Sequence, residues 1–118
     1  MEIEIYTDND IEDREAIRDY FRASVARELR PVGGHITGVE VHLGDENGNR
    51  RGGDSKRCVI VVQLEGHLPM SVTHHGTTFG TAVDGACDRL NRMIENALGA
   101  LRESLNRSDS FVPEPNLI

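Results

Sequence analysis

The feature that most constrains the fold is a long amphipathic stretch in the second half of the chain. From Phe79 to Leu105, apolar residues recur at intervals of three and four, the period of an α-helix that buries one side. At 3.6 residues per turn the pattern lasts about seven turns. Either Thr77 or Thr78 can cap the start of this helix. Its apolar positions are Phe79, Ala82, Val83, Ala86, Cys87, Leu90, Met93, Ile94, Ala97, Leu98, Leu101 and Leu105.

Four stretches before this helix have the pattern of β-strands. Residues 2–6 and 36–43 alternate between apolar and polar side chains, which predicts strands with one buried face. Residues 58–64 are the most apolar, and residues 68–75 alternate again after a short turn. The polar segment between the second and third strands predicts a long hairpin loop, with Asn47-Gly48 as its turn.

A first helix is predicted between strands one and two. The acidic stretch before it supplies capping side chains, and Pro31 with the pair Gly33-Gly34 ends it. Its stripe consists of Ile17, Tyr20, Phe21, Ser24, Val25, Glu28 and Leu29, with Ser24 and Glu28 as the two breaks.

The element order βαβββα predicts an α+β fold. The connection through the first helix makes strands one and two parallel, whereas hairpins make the later strands antiparallel. The result is a four-stranded mixed sheet. Because most strands are apolar on one face only, both helices should pack on the same face.

Length and composition predict one cytosolic domain. The chain has 118 residues and a formal net charge of −7, and we expect a domain over residues 1–107 and a tail over 108–118. Its longest aliphatic run, Val59–Val62, is too short to cross a membrane, and Met1 is followed by acidic residues rather than by a signal peptide. Cys58 and Cys87 lie at apolar positions, which favours reduced core thiols over a disulfide.

The sequence offers little that could support catalysis. His74-His75 is the most suggestive pair for a metal, but neighbouring residues of a strand point to opposite faces. The two cysteines have no electropositive, accessible setting, and no glycine pair precedes a helix that could bind phosphate. We therefore expect no enzymatic activity, cofactor or small-molecule substrate.

The remaining candidates are arginines on the outer sides of the helices. Arg14, Arg18 and Arg22 follow one another at intervals of four, and Arg89 and Arg92 are three apart. Acidic residues are interleaved with them, so by spacing alone an ordinary solvated surface is the safer interpretation. A small basic cluster formed by Arg50, Arg51, Lys56 and Arg57 has the same two interpretations, phosphate binding or loop solubility.

Two stretches resemble the ribosome hibernation promoting factor family, also known as ribosome-associated inhibitors or sigma-factor modulation proteins. In the first helix the matching residues are Glu15, Ala16, Ile17, Arg18, Asp19, Tyr20, Ala26, Arg27 and Leu29. Around the second helix they are Gly76, Ala82, Val83, Asp84, Asp88, Arg89, Leu90, Arg92 and Ile94. The resemblance covers roughly residues 2–105 and is to the short form of the family.

The resemblance implies a fold like that of double-stranded-RNA-binding domains and a place in the decoding region of the small ribosomal subunit. There, family members contact ribosomal RNA, block messenger and transfer RNA, and keep idle ribosomes inactive or dimerised. The resemblance implies RNA contacts at Arg18, Arg27, Arg89 and Arg92, and we expect Arg22 and Arg102 to take part in RNA binding as well. Guanidinium groups suit this role because they bind phosphate oxygens in pairs.

Departures from the family pattern reduce the number of basic residues on this surface. The end of the second helix, residues 95–104, has none of the lysines that are common there, so we expect weaker and less salt-sensitive binding. Together with the charge of −7, this keeps a second hypothesis open, a protein-interaction module of the same fold that no longer binds RNA. A small metal-dependent enzyme is the third and weakest.

Overall fold

The predicted element order is confirmed. The computed structural model describes residues 1–9, 11–46, 53 and 55–110, with the backbone alone for 102–110. A short 3₁₀ helix, Arg30–His35, connects the first helix to the second strand. The elements are β1 (Glu2–Thr7), α1 (Arg14–Glu28), β2 (Ile36–Asp45), β3 (Lys56–Leu64), β4 (Met70–Gly76) and α2 (Phe79–Ser110).

The four strands form one mixed sheet in the order β1-β2-β3-β4. β1 and β2 are parallel, with Ile5 opposite Val41, and the two remaining pairs are antiparallel. This is the topology expected from one helical crossover followed by two hairpins.

The two faces of the sheet differ in burial. One face is covered by both helices, and its central side chains Val41, Ile60 and Val62 are fully buried with Leu90 and Ile94 of α2. The other face, which we call the open face, is not covered by any element of the described chain. The prediction that both helices share one face is therefore confirmed.

The helix ends differ from the predicted ones in detail. Asp13 occupies the N-cap position of α1 but, within the described residues, accepts no capping hydrogen bond. At α2 the Thr78 hydroxyl accepts a hydrogen bond from the Thr81 amide at 3.1 Å, so Thr78 rather than Thr77 is the cap. α2 continues to Ser110, beyond the predicted end at Arg107, because loss of the apolar pattern does not by itself end a helix.

Two further predictions have clear outcomes, and two lie outside the described residues. Cys58 and Cys87 are free and buried, and burial raises the pKa of the Cys58 thiol to about 12. Tyr20 was wrongly assigned to the buried stripe of α1, since it is 66% exposed. The predicted turn Asn47-Gly48 and the end of the tail, residues 111–118, are outside the described part of the chain.

Candidate nucleic-acid interface

The predicted RNA-binding residues lie on the outward sides of α1 and α2, which we call the helix layer. Five of the six have described side chains, whereas the side chain of Arg102 lies outside the described residues. Each helix is oriented by the apolar stripe that it buries against the sheet, so the arginines are positioned by the rotation of each helix about its axis.

Arg18 and Arg22 lie on the flank of α1 that faces the β1 edge of the sheet. The Arg22 Nε donates a hydrogen bond to the backbone oxygen of Ile3 at 3.3 Å, and its Nη1 lies 3.1 Å from Oδ1 of Asp19. Arg18 precedes Arg22 by one turn and is half-buried on the same flank. Arg18 forms no hydrogen bond or ion pair with any described residue.

Arg27 lies on a different side of α1. It follows Arg22 by five residues, which places it about 140° further around the helix. It is exposed, and no described carboxylate lies within ion-pair distance of it. Its charge is felt by Glu28, where it opposes the rise of that carboxyl's pKa.

On α2 the two predicted arginines differ in their ion-pair partners. Arg92 Nη2 lies 2.7 Å from Oδ2 of Asp88, in an ion pair whose two side chains are each 70% exposed. Arg89 is four residues after Gly85, and Gly85 packs directly against the imidazole of His74 in β4. Arg89 therefore lies on the β4 side of α2, exposed and without a described ion-pair partner.

Carboxylates occupy the groove between the helices. Asn91 Nδ2 donates to the backbone oxygen of Glu28 at 2.8 Å, which joins the two helices. The pKa of the Glu28 carboxyl is raised, chiefly because the side chain is partly buried and further because Asp84 of α2 lies beside it. Ser24 Oγ donates to Glu28 Oε2 at 3.2 Å. This pair was not predicted from the sequence, although the break at Glu28 in the apolar stripe was its signal.

The structure therefore spreads the arginines over the helix layer instead of gathering them in one cluster. Arg18 and Arg22 lie towards β1, Arg89 lies towards β4, and the groove between them contains Glu28 and Asp84. Three arginines, Arg18, Arg27 and Arg89, form no ion pair with a described residue and can accept a phosphate without losing one.

In the basic cluster predicted at the long loop, the described side chains form ion pairs with carboxylates of the same chain. Lys56 Nζ lies 2.6 Å from Asp45 Oδ2, and Arg57 Nη1 lies 3.3 Å from Glu46 Oε2. These two side chains hold the base of the β2–β3 hairpin. Arg50 and Arg51 lie outside the described residues.

His74 and His75 point to opposite faces of the sheet. His74 contacts Gly85 under α2, whereas His75 Nε2 lies 2.8 Å from Glu46 Oε1 on the open face. Among the described residues, no three histidine, cysteine, aspartate or glutamate side chains lie close enough together to hold a metal ion. Within the same part of the chain, no helix has the combination of length and apolar character needed to cross a bilayer.

Comparison with known proteins gives this surface its context. The model of the family described as sigma 54 modulation protein / S30EA ribosomal protein matches residues 3–102, which is most of the chain. The chain belongs to this family. The family consists of ribosome-associated factors and is not an enzyme class, and no curated protein sequence matches the chain.

Two solved structures have the same fold as this family member. The N-terminal domain of Protein Y from Thermus thermophilus is 28% identical, with a TM-score of 0.59 over 81% of this chain and 98% of that one. A ribosomal subunit interface protein from Coxiella burnetii is 14% identical, with a TM-score of 0.62 over 84% and 99%. The second likeness supports the fold alone.

We expect Glu28→Gln to raise the melting temperature at neutral pH. The Glu28 carboxyl has a raised pKa in the folded protein, so folding favours its protonated form and stability falls as pH rises from below 4.5 through the folded-state pKa. Glutamine imitates the protonated form. Thermal melts from pH 4 to 8 should show a gain that grows with pH and then levels off. A gain of equal size at all pH values would contradict this explanation.

Proposed function

We propose that this protein binds the small ribosomal subunit at its decoding region, contacts 16S ribosomal RNA through the helix layer, and thereby inhibits translation and preserves idle ribosomes. The observation that carries the proposal is the family match over residues 3–102. The 28% identity to a Protein Y domain and the likeness in fold to a ribosomal subunit interface protein support it. Because ribosomes operate in the cytoplasm, we place the protein there.

The arginines differ in what they can contribute to RNA binding. Arg18, Arg27 and Arg89 can bind phosphate directly, since none gives up an ion pair with a described residue. Arg22 and Arg92 must exchange Asp19 and Asp88 for phosphate. These exposed ion pairs contribute little stability, so the exchange is inexpensive but its net gain is small. Arg102 is proposed to extend the same surface along α2.

The net charge of −7 shapes the kind of binding that we propose. A protein with this overall field is repelled by random nucleic acid, so only a surface whose phosphates match the positions of its few free arginines can hold it. Weak attraction to RNA in general and selectivity for one folded RNA surface are therefore expected together.

We expect Arg89→Glu/Arg92→Glu to abolish co-sedimentation with purified small subunits. The double variant places two carboxylates where we propose phosphate contacts, and it changes the local charge by four units. Gradient centrifugation followed by detection of the protein in each fraction provides the measurement. The matched control is Arg14→Glu/Arg30→Glu, which changes the net charge by the same amount at two exposed arginines outside the proposed RNA-binding set. Co-sedimentation of the Arg89/Arg92 variant at the wild-type level would exclude the helix layer as the contact surface.

A protein-interaction module of the same fold is the second candidate. The carboxylate pair Glu28 and Asp84, in the groove between the two helices, favours it over RNA binding. A salt series separates the two functions, because RNA binding weakens as salt rises, with a slope set by the number of phosphate contacts, whereas binding through an apolar protein interface does not.

A further inference from the structure

The open face of the sheet has a regular pattern of side chains that the proposed RNA binding does not use. The strand register aligns them in rows that cross the sheet, because Glu4 is opposite Glu40 and Glu40 is opposite Val61. Tyr6 on this face is 45% exposed. From one end of the sheet to the other, the open face presents Glu2, Gly38 and Gln63; Glu4, Glu40, Val61 and Ser71; Tyr6, His42, Val59 and Thr73; and Arg57 with His75.

One half of this face is acidic. Glu4 and Glu40 are direct neighbours on paired strands, an arrangement of like charges that costs stability, and Glu2 lies two residues along on the same side of β1. Among the described side chains of the open face, Arg57 is the one lysine or arginine, and it is paired with Glu46 at the opposite end. Among the described residues, none of the three glutamates is therefore paired with a lysine or arginine.

Two of these carboxylates are held in place by aromatic neighbours. The Tyr6 hydroxyl donates to Glu4 Oε1 at 2.6 Å, and His42 Nε2 lies 3.3 Å from Glu40 Oε1. The rings of Tyr6 and His42 are stacked, with centroids 4.9 Å apart and an interplanar angle of 17°. Among the described residues, no hydrogen bond uses the second oxygen of either carboxylate, so both can accept one from a partner. Side chains ordered in advance lose less entropy on binding.

A depression lies between the three glutamates because Gly38 has no side chain. It measures about 150 Å³, which is too small for a drug-sized ligand. Its lining combines the carboxylates of Glu2, Glu4 and Glu40 with the apolar Val61 and the amide of Gln63. An apolar wall beside carboxylates suits a lysine or arginine, whose aliphatic stem packs on apolar surface while the charged head reaches the rim.

We propose that the open face docks a lysine- or arginine-rich segment of a partner protein, with one basic side chain in the depression over Gly38 and its charge at Glu4 and Glu40. Charge complementarity selects this occupant, since nucleic acid and anionic membranes are repelled by the same glutamates. The site lies on the opposite side of the sheet from the helix layer. Binding here is therefore independent of the RNA binding proposed above and compatible with it.

The test uses the full chain and a fluorescein-labelled peptide of alternating lysine and serine, followed by fluorescence anisotropy. We expect Glu4→Gln/Glu40→Gln to weaken peptide binding about tenfold, since two exposed charge pairs are lost. The variant should fold at least as well as the wild type, because it removes a like-charge pair. A thermal melt of the same sample checks this. In an NMR titration of the wild type, the ring signals of Tyr6 and His42 should shift as peptide is added.

A matched control distinguishes binding at this site from a general electrostatic attraction between the protein and the peptide. Glu12→Gln/Glu95→Gln removes the same charge at two exposed positions outside the open face, one just before α1 and one in α2, and should leave peptide binding within about twofold of the wild type. An equal loss in both variants would mean that net charge alone attracts the peptide and would overturn the proposal. Self-association through Tyr6, seen by sedimentation of the chain alone and lost in Tyr6→Ala, would assign the face to a second copy instead. Arg89→Glu/Arg92→Glu should still bind the peptide, so failure of either proposal is visible separately.

Discussion

Replacing Gly76 with alanine is expected to destabilise the protein by about 2–3 kcal/mol and to lower its melting temperature by about 10 °C. Gly76 is the last residue of β4 and is buried. A Cβ at this position would clash with Thr81 Oγ1 and would lie 2.8 Å from the backbone nitrogen of Ala82. Because one of these atoms belongs to the backbone of α2, the helix itself must move away from the sheet.

Gly99→Ala is the matched control for this substitution. Gly99 lies within α2, and a Cβ there would meet no atom within 4 Å. Alanine in a helix interior is more favourable than glycine by about 0.5–1 kcal/mol, so the control should raise the melting temperature slightly. Chemical denaturation of both variants provides the free energies of unfolding. Equal effects of the two substitutions would show that close packing at Gly76 does not hold the start of α2.

The fold could be predicted because two periodicities in the sequence are unambiguous. Alternation over residues 2–6 and the apolar stripe after Phe79 each fit one kind of element, and the observed elements coincide with both. The order of elements then leaves few topologies, since a crossover through one helix must be right-handed. Tyr20 was misplaced because it lies at the margin of a stripe, where tertiary packing decides burial.

The arrangement of the arginines could not be predicted in the same way. Spacing indicates that Arg89 and Arg92 are near each other along α2, but the side towards which each points depends on how the helix is rotated against the sheet. The contact of Gly85 with His74 fixes that rotation, and it involves residues that are distant in sequence. The approach of Glu28 to Asp84 is likewise a contact between two helices.

The salt dependence of small-subunit binding is expected to reflect the number of arginines in the helix layer that form no ion pair with a described residue. Each phosphate contact contributes about 0.7 to 0.9 to the slope of log K against log salt, so three arginines predict a slope of about −2 to −3. Arg22 and Arg92 should add little, since each gives up a carboxylate when it gains a phosphate. Binding measured at several salt concentrations provides the slope.

Arg18→Gln/Arg27→Gln/Arg89→Gln should lower the affinity at low salt about a hundredfold or more, because each lost charge-assisted contact contributes more than 1 kcal/mol. For this triple variant, the slope of log K against log salt should fall close to zero. Arg57→Gln removes one positive charge on the open face, where Arg57 is paired with Glu46, and should leave the slope unchanged. A wild-type slope near zero would remove the basis for phosphate contacts and favour a protein partner for the helix layer. A steep slope that persists in the triple variant would instead assign the contacts to other basic residues, with Arg102 the first to replace.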